Sequence, residues 1–123
     1  MAEYTLTLTS DQAHEALKAV ELLMRLKLGQ FDNIPFALLD LTAKDFCDRR
    51  DKAKPHLEAA CQAYYGDRTP ADWKDAEWYR LYNLYQVIRY AIHNAENPEG
   101  KGVDSYPPTR FTDEPLPKCT WKH

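Results

Sequence analysis

The residues best equipped for chemistry cluster in one stretch, 69–94, reading TPADWKDAEWYRLYNLYQVIRYAIHN. Within it Trp78, Tyr82, Tyr85 and Arg89 follow one another at offsets of four, three and four, with His93 one turn further on. At helical periodicity these five share a stripe. Aromatic planes beside a guanidinium suit a flat anionic ligand, because rings stack on bases and Arg pairs with phosphate oxygens. The same stripe also suits packing on another helix or subunit, since Tyr and Trp are favoured at interfaces. Both readings stand at this level. Asn94 adds an amide at the end of the stretch, and Arg110 with Thr112 forms an anion-directed pair in the tail, where the alternative is an ordinary surface arginine.

Catalytic signatures are thin. The sequence carries no Gly-rich phosphate loop, nucleophile elbow or helical zinc-protease motif. His14, His56, His93 and His123 are scattered. Glu15, Glu21, Asp45, Asp48 and Asp51 can in principle gather round Mg²⁺, as in small helical nucleotide pyrophosphohydrolases, yet their spacing matches no such motif. Cys47, Cys61 and Cys119 form no C-x-x-C pair and no zinc spacing, which predicts reduced, mostly buried thiols and no metal site. The expected activity is therefore binding, with no catalytic residue, metal or cofactor; a small hydrolase is the lesser alternative.

The elements that must position these residues follow from the pattern of the 123-residue chain, read as one domain. Tyr4, Leu6 and Leu8 alternate with Thr5, Thr7 and Thr9, predicting a strand over 3–9. Ser10 is the expected cap of a helix over 10–28, ended by Gly29. That helix carries a core stripe through Ala13, Leu17, Val20 and Met24 and a second apolar patch at Ala19, Leu22 and Leu26, which points to burial in an oligomer. His14, Lys18, Glu21 and Arg25 lie between the two as charge pairs at helical spacing. A helical segment over 42–65 is expected to kink or divide at Pro55. Its DRRDKAK cluster reads as a solvated, mutually paired face, with phosphate binding by Arg49 or Arg50 as the lesser reading.

The long helix is expected over 70–94, capped by Thr69 and Asp72, with its core arc through Trp73, Ala76, Leu81, Leu84, Val87, Ile88, Ala91 and Ile92. A Pro-rich extended arm over 103–123 completes the chain, pinned by Tyr106, Phe111, Leu116 and Trp121. The expected class is α+β: two long helices, a shorter kinked helical segment and a small antiparallel sheet near the chain ends. A net charge of −3 argues against duplex nucleic acid as partner. No apolar run long enough to cross a bilayer and no signal peptide stand in the sequence, so the expected location is the cytoplasm.

The layout resembles a known family. An N-terminal strand, a helix ending in MRLKLGQFDNI, a long helix with LYNLYQVIRYAIHN and a Pro-rich tail containing TRF and LPK resemble the first-described Thoeris anti-defence sponges of phages. The resemblance spans nearly the whole chain, but its specific parts, LGQF and YQVIRY, are short. It implies a protein that captures the cyclic ADP-ribose signal of bacterial Thoeris immunity, holds it unchanged, and keeps the downstream NADase silent. It also implies a homo-oligomer, a dimer able to form hexamers, and capture of cyclic di- or trinucleotides at separate sites. Carried onto this chain, Tyr82 or Tyr85 stacks the adenine, Asn94 bonds the ribose or base, and Arg110 with Thr112 holds the diphosphate. Gln30 and Phe31 line the pocket or the subunit seam; for the second site, charge alone, and not the resemblance, points to Arg25, Arg49 or Arg50. The competing reading is a protein-interaction module that blocks a host protein with its aromatic face.

Overall fold

A computed structural model describes residues 2–69 and 75–122. It contains α1 (Ser10–Lys27), a 3-10 turn (Phe31–Asn33), α2 (Ile34–Leu38), α3 (Phe46–Tyr65), α4 (Ala76–Glu96) and a second 3-10 turn (Val103–Ser105). Every regular element among the described residues is helical, so the α+β expectation is corrected to an all-α fold without a sheet.

The reason lies in what each chain end can bond. Residues 2–9 have the alternation of a strand but no neighbouring edge, and Tyr4 and Leu6 stand 95% and 78% exposed. The C-terminal arm lacks N–H groups at Pro107, Pro108, Pro115 and Pro117, and its Thr109 and Phe111 backbone groups are engaged by side chains of α4.

Thr9, rather than Ser10, caps α1. Its hydroxyl accepts the Gln12 N–H at 3.2 Å and Gln12 Oε1 accepts the Thr9 N–H at 3.0 Å, a reciprocal capping box. At the other end Gln30 N–H reaches the Arg25 carbonyl at 2.8 Å and Gly29 N–H the Leu26 carbonyl at 3.0 Å, a Schellman closure. Gly29 takes φ +81°, and a Cβ there would lie 2.8 Å from Thr69 Cγ2, so only glycine fits this turn.

Helix α3 begins at Phe46, later than expected, because Thr42 is spent in a turn in which its N–H and hydroxyl both donate to Asp40. It runs unbroken through Pro55. Asp51, whose carbonyl loses its partner there, is solvent-exposed and can bond water instead. Within the DRRDKAK cluster Arg50 pairs with Asp51 and Lys52 with Asp48, and Arg49 pairs with Asp45 just before it, as the solvated-face reading expects. Helix α4 starts at Ala76, where Asp75 accepts the Glu77 N–H at 2.8 Å, and continues to Glu96. The expected cap at Asp72 and core residue Trp73 lie outside the described residues.

Helices α1 and α4 form the principal packing pair, and they run antiparallel. Trp78 Nε1 donates to the Met24 carbonyl at 3.2 Å and Lys27 meets Glu77 at 3.2 Å at one end. At the other, Glu96 accepts from Ser10 Oγ at 2.9 Å and bonds His14 Nε2 at 3.1 Å. The buried apolar side chains are few: Met24, Phe31, Phe46, Val87 and Ala91. Ala76 is exposed and Leu81, Leu84, Ile88 and Ile92 are half-buried, so much of the expected core arc of α4 is only partly covered. The thiols are free, with Cys47 and Cys119 exposed and Cys61 half-buried, against the expectation of burial.

The chain exposes 9265 Å². A compact monomer of this mass exposes about 6,800 Å², so roughly 2,500 Å² of surface is in excess. No helix among the described residues is long and apolar enough to cross a membrane.

Candidate functional site

Two buried, fully hydrogen-bonded amides lie where α4 receives the arm. Gln86 Nε2 donates to the Thr109 carbonyl at 2.9 Å, and Gln86 Oε1 accepts the Thr109 N–H at 3.0 Å. One turn earlier, Asn83 Oδ1 accepts the Phe111 N–H at 3.0 Å and Asn83 Nδ2 donates to Thr112 Oγ1 at 3.0 Å. Both amides are almost completely buried, at 2% and 4% exposure, and every polar atom they carry is used. A buried amide left unbonded would cost about 1–3 kcal/mol, so this network specifies one register of arm on helix. Arg80 extends it outward, donating from Nε and Nη2 to the Glu114 carboxylate at 3.1 and 2.6 Å. The Arg80 hydrogen bond lowers the pKa of Glu114, and Glu114 raises that of Arg80 in return.

Beside this ladder runs the aromatic stripe. Trp78 stacks on Tyr82 at 5.4 Å and 8°, Tyr82 lies 6.3 Å from Tyr85, and the Arg89 guanidinium carbon sits 5.3 Å from the Tyr85 ring centre. Phe111 of the arm closes over it, 5.3 Å from Tyr82 and 6.0 Å from Tyr79. Tyr82 therefore already has Trp78, Tyr85 and Phe111 as ring neighbours, and a base reaching its face has to displace one of them.

Arg89 is the electrostatic anomaly. Its side chain is 7% exposed, its Nε has no hydrogen-bond partner among the described residues, and the nearest carboxylate oxygen, of Asp104, is 4.0 Å away. A buried guanidinium with an open donor is a strong attractor for an anion that can reach it.

The other expected site residues fall elsewhere. Thr112 joins the ladder, whereas Arg110 is exposed and makes no ion pair among the described residues. Arg25 donates to Glu21 at 3.0 Å and to Gln30 Oε1 at 2.9 Å, which draws Arg25 and Gln30 together at the α1 terminus. Phe31 is buried there against Tyr65 and Tyr64 of α3, at 5.9 and 6.2 Å. Arg25 also borders a cleft of about 130 Å³ with Lys18, Asn33 and Phe36.

Asn94 lies at the far end of α4, its Nδ2 donating to the Tyr90 carbonyl at 2.8 Å. It sits about 18 Å along the helix from Tyr82 and about 24 Å from Trp78, where α1 ends. One chain therefore brings Tyr82, Tyr85, Arg89 and Thr112 together and keeps Asn94 and the Arg25–Gln30–Phe31 group at opposite ends.

Sequence reasoning missed Asn83 and Gln86. Their signal was two amides at i, i+3 in the middle of a helix otherwise rich in rings and aliphatics, a placement that asks for backbone partners from another segment.

A second cleft, of about 380 Å³, lies between α4 and the end of the arm, lined by Val87, Ala91, Leu116 and Trp121 among others. Among the described residues no group of three or more His, Cys, Asp or Glu side chains is arranged to hold a metal. Comparison with protein-family models, curated proteins and solved structures returns no match to this chain.

Proposed function

We propose that this chain is a phage anti-defence sponge that binds a cyclic ADP-ribose immune signal and sequesters it without degrading it. The observation that carries the reading is Arg89: a buried guanidinium whose Nε is unpaired among the described residues, set over Tyr85 and near Asp104 at the start of the arm. Cyclic ADP-ribose offers a diphosphate anion for the guanidinium and an adenine for a ring. Because Asn94 and the Gln30 turn are too far apart for one small nucleotide, the pocket is completed by a second copy of the chain in a homo-oligomer, and cyclic di- or trinucleotides would bind apart from it, near Arg25. The cytoplasm of the infected cell is where such a signal would be met.

Thermal unfolding titrated with cyclic ADP-ribose isomers tests this. A ligand at one hundred times its dissociation constant stabilises by about 2.7 kcal/mol, so the melting temperature should climb with nucleotide concentration, and Arg89→Met should flatten the climb. A melting temperature indifferent to every isomer would favour the protein-interaction reading, which the exposed Tyr4, Leu6, Leu38 and Tyr64 side chains also suit.

A further inference from the structure

We infer that residues 2–8 of one copy of this chain dock through their side chains in the groove between α4 and the C-terminal arm of a second copy. The inference rests on the self-association just proposed, and it names the limb and the groove that carry out the exchange.

Three observations point to this occupant. The surface in excess over a compact monomer, roughly 2,500 Å², is about three times the 800 Å² or so that each partner contributes to a standard stable interface. The most exposed large apolar side chains among the described residues are Tyr4 and Leu6, which, with Leu8, recur at every second residue of a segment that touches little else. The groove offers the complement: Val87 and Ala91 of α4 on one side, Leu116 and Trp121 of the arm on the other, in about 380 Å³. Trp121 is itself 44% exposed, as a wall awaiting cover would be.

Charge agrees with this fit. Glu3 stands next to Tyr4 on the limb and Lys118 lines the groove, and neither makes an ion pair among the described residues. The prolines decide how the limb is held. Pro115 and Pro117 have no N–H to offer, so the contact is made by side chains entering a groove and not by a backbone ladder. The groove's own N-terminal segment does not fill it, since Tyr4 is 95% exposed.

The native thiol of Cys119 lines the groove and reports on it directly. A tagged chain carrying Leu6→Cys and Cys119→Ser is mixed with an untagged chain retaining Cys119, oxidised, and analysed by mass spectrometry alongside light scattering of the unoxidised mixture. The expected result is a covalent heterodimer bridged from position 6 to Cys119, lost when the untagged chain carries Leu116→Ser and Trp121→Ser. An oligomer by scattering without that bridge overturns the docking and leaves self-association standing. So does a bridge that runs from position 6 to Cys47 of the untagged chain and not to Cys119. A monomer by scattering overturns both.

Discussion

The two ends of this chain both lie outside its long helices and are held differently. The N-terminal segment has the alternation of a strand and makes almost no contact, whereas the C-terminal arm, broken by prolines, is fixed to α4 at Thr109, Phe111 and Thr112. Periodicity states which side chains want burial; hydrogen-bond partners decide whether a segment is held. Gln86 acts towards the arm as a neighbouring strand would, giving one donor and one acceptor to the Thr109 backbone, and Asn83 accepts the Phe111 N–H while donating to the Thr112 hydroxyl.

The largest effect should come from removing that surrogate edge. Asn83→Ala with Gln86→Ala leaves Thr109 and Phe111 backbone groups without partners and should cost about 2–6 kcal/mol in denaturant unfolding, taking each lost amide at about 1–3 kcal/mol. In the wild type, amide exchange should be slow at Thr109 and Phe111 and fast at Tyr4, Leu6 and Leu8; equal rates at both ends would remove the contrast. Phe111→Ala, which deletes the ring over Tyr82 and Tyr79, should cost about 1 kcal/mol by the same measurement. Tyr4→Ser should change the unfolding of the isolated chain by less than about 0.5 kcal/mol while weakening assembly on a sizing column.

Acid should act at the junction of α1 with α4. His14, through its hydrogen bond, and then Ser10 lower the pKa of Glu96. A carboxylate depressed in the folded state contributes stability above its unfolded pKa and loses it as pH falls through the lower folded value. Stability should therefore decline on acidification below the ordinary glutamate range, and Glu96→Gln should reduce that slope in thermal melts taken across pH. A smaller effect is expected at Cys119, whose pKa is raised by desolvation, so alkylation there should need a higher pH than at a free cysteine.

Much of the helical layout was legible. The 3.6-residue pattern located α1 and α4, and Gly29 marked the end of α1 because its position demands positive φ. Of the two outcomes expected at Pro55, division of the helix did not occur, since the Asp51 carbonyl it frees is exposed and can bond water. The sheet misled: alternation at Tyr4, Leu6 and Leu8 describes one edge, and the second edge is a property of the whole fold. In the candidate site, the Trp78–Tyr82–Tyr85–Arg89 stripe was readable from spacing, but that its rings would stack on one another and under Phe111 was not. Asn83 and Gln86 were hidden because an amide in a helix looks the same whether it faces water or a backbone.

The most direct test of the sponge reading is to incubate the purified protein with cyclic ADP-ribose isomers, remove free nucleotide, denature the protein and identify what is released. The account predicts an intact cyclic isomer from the wild type and markedly less from Arg89→Met. Release of a linear product would mean that the chain is an enzyme, and release of nothing would contradict nucleotide capture altogether.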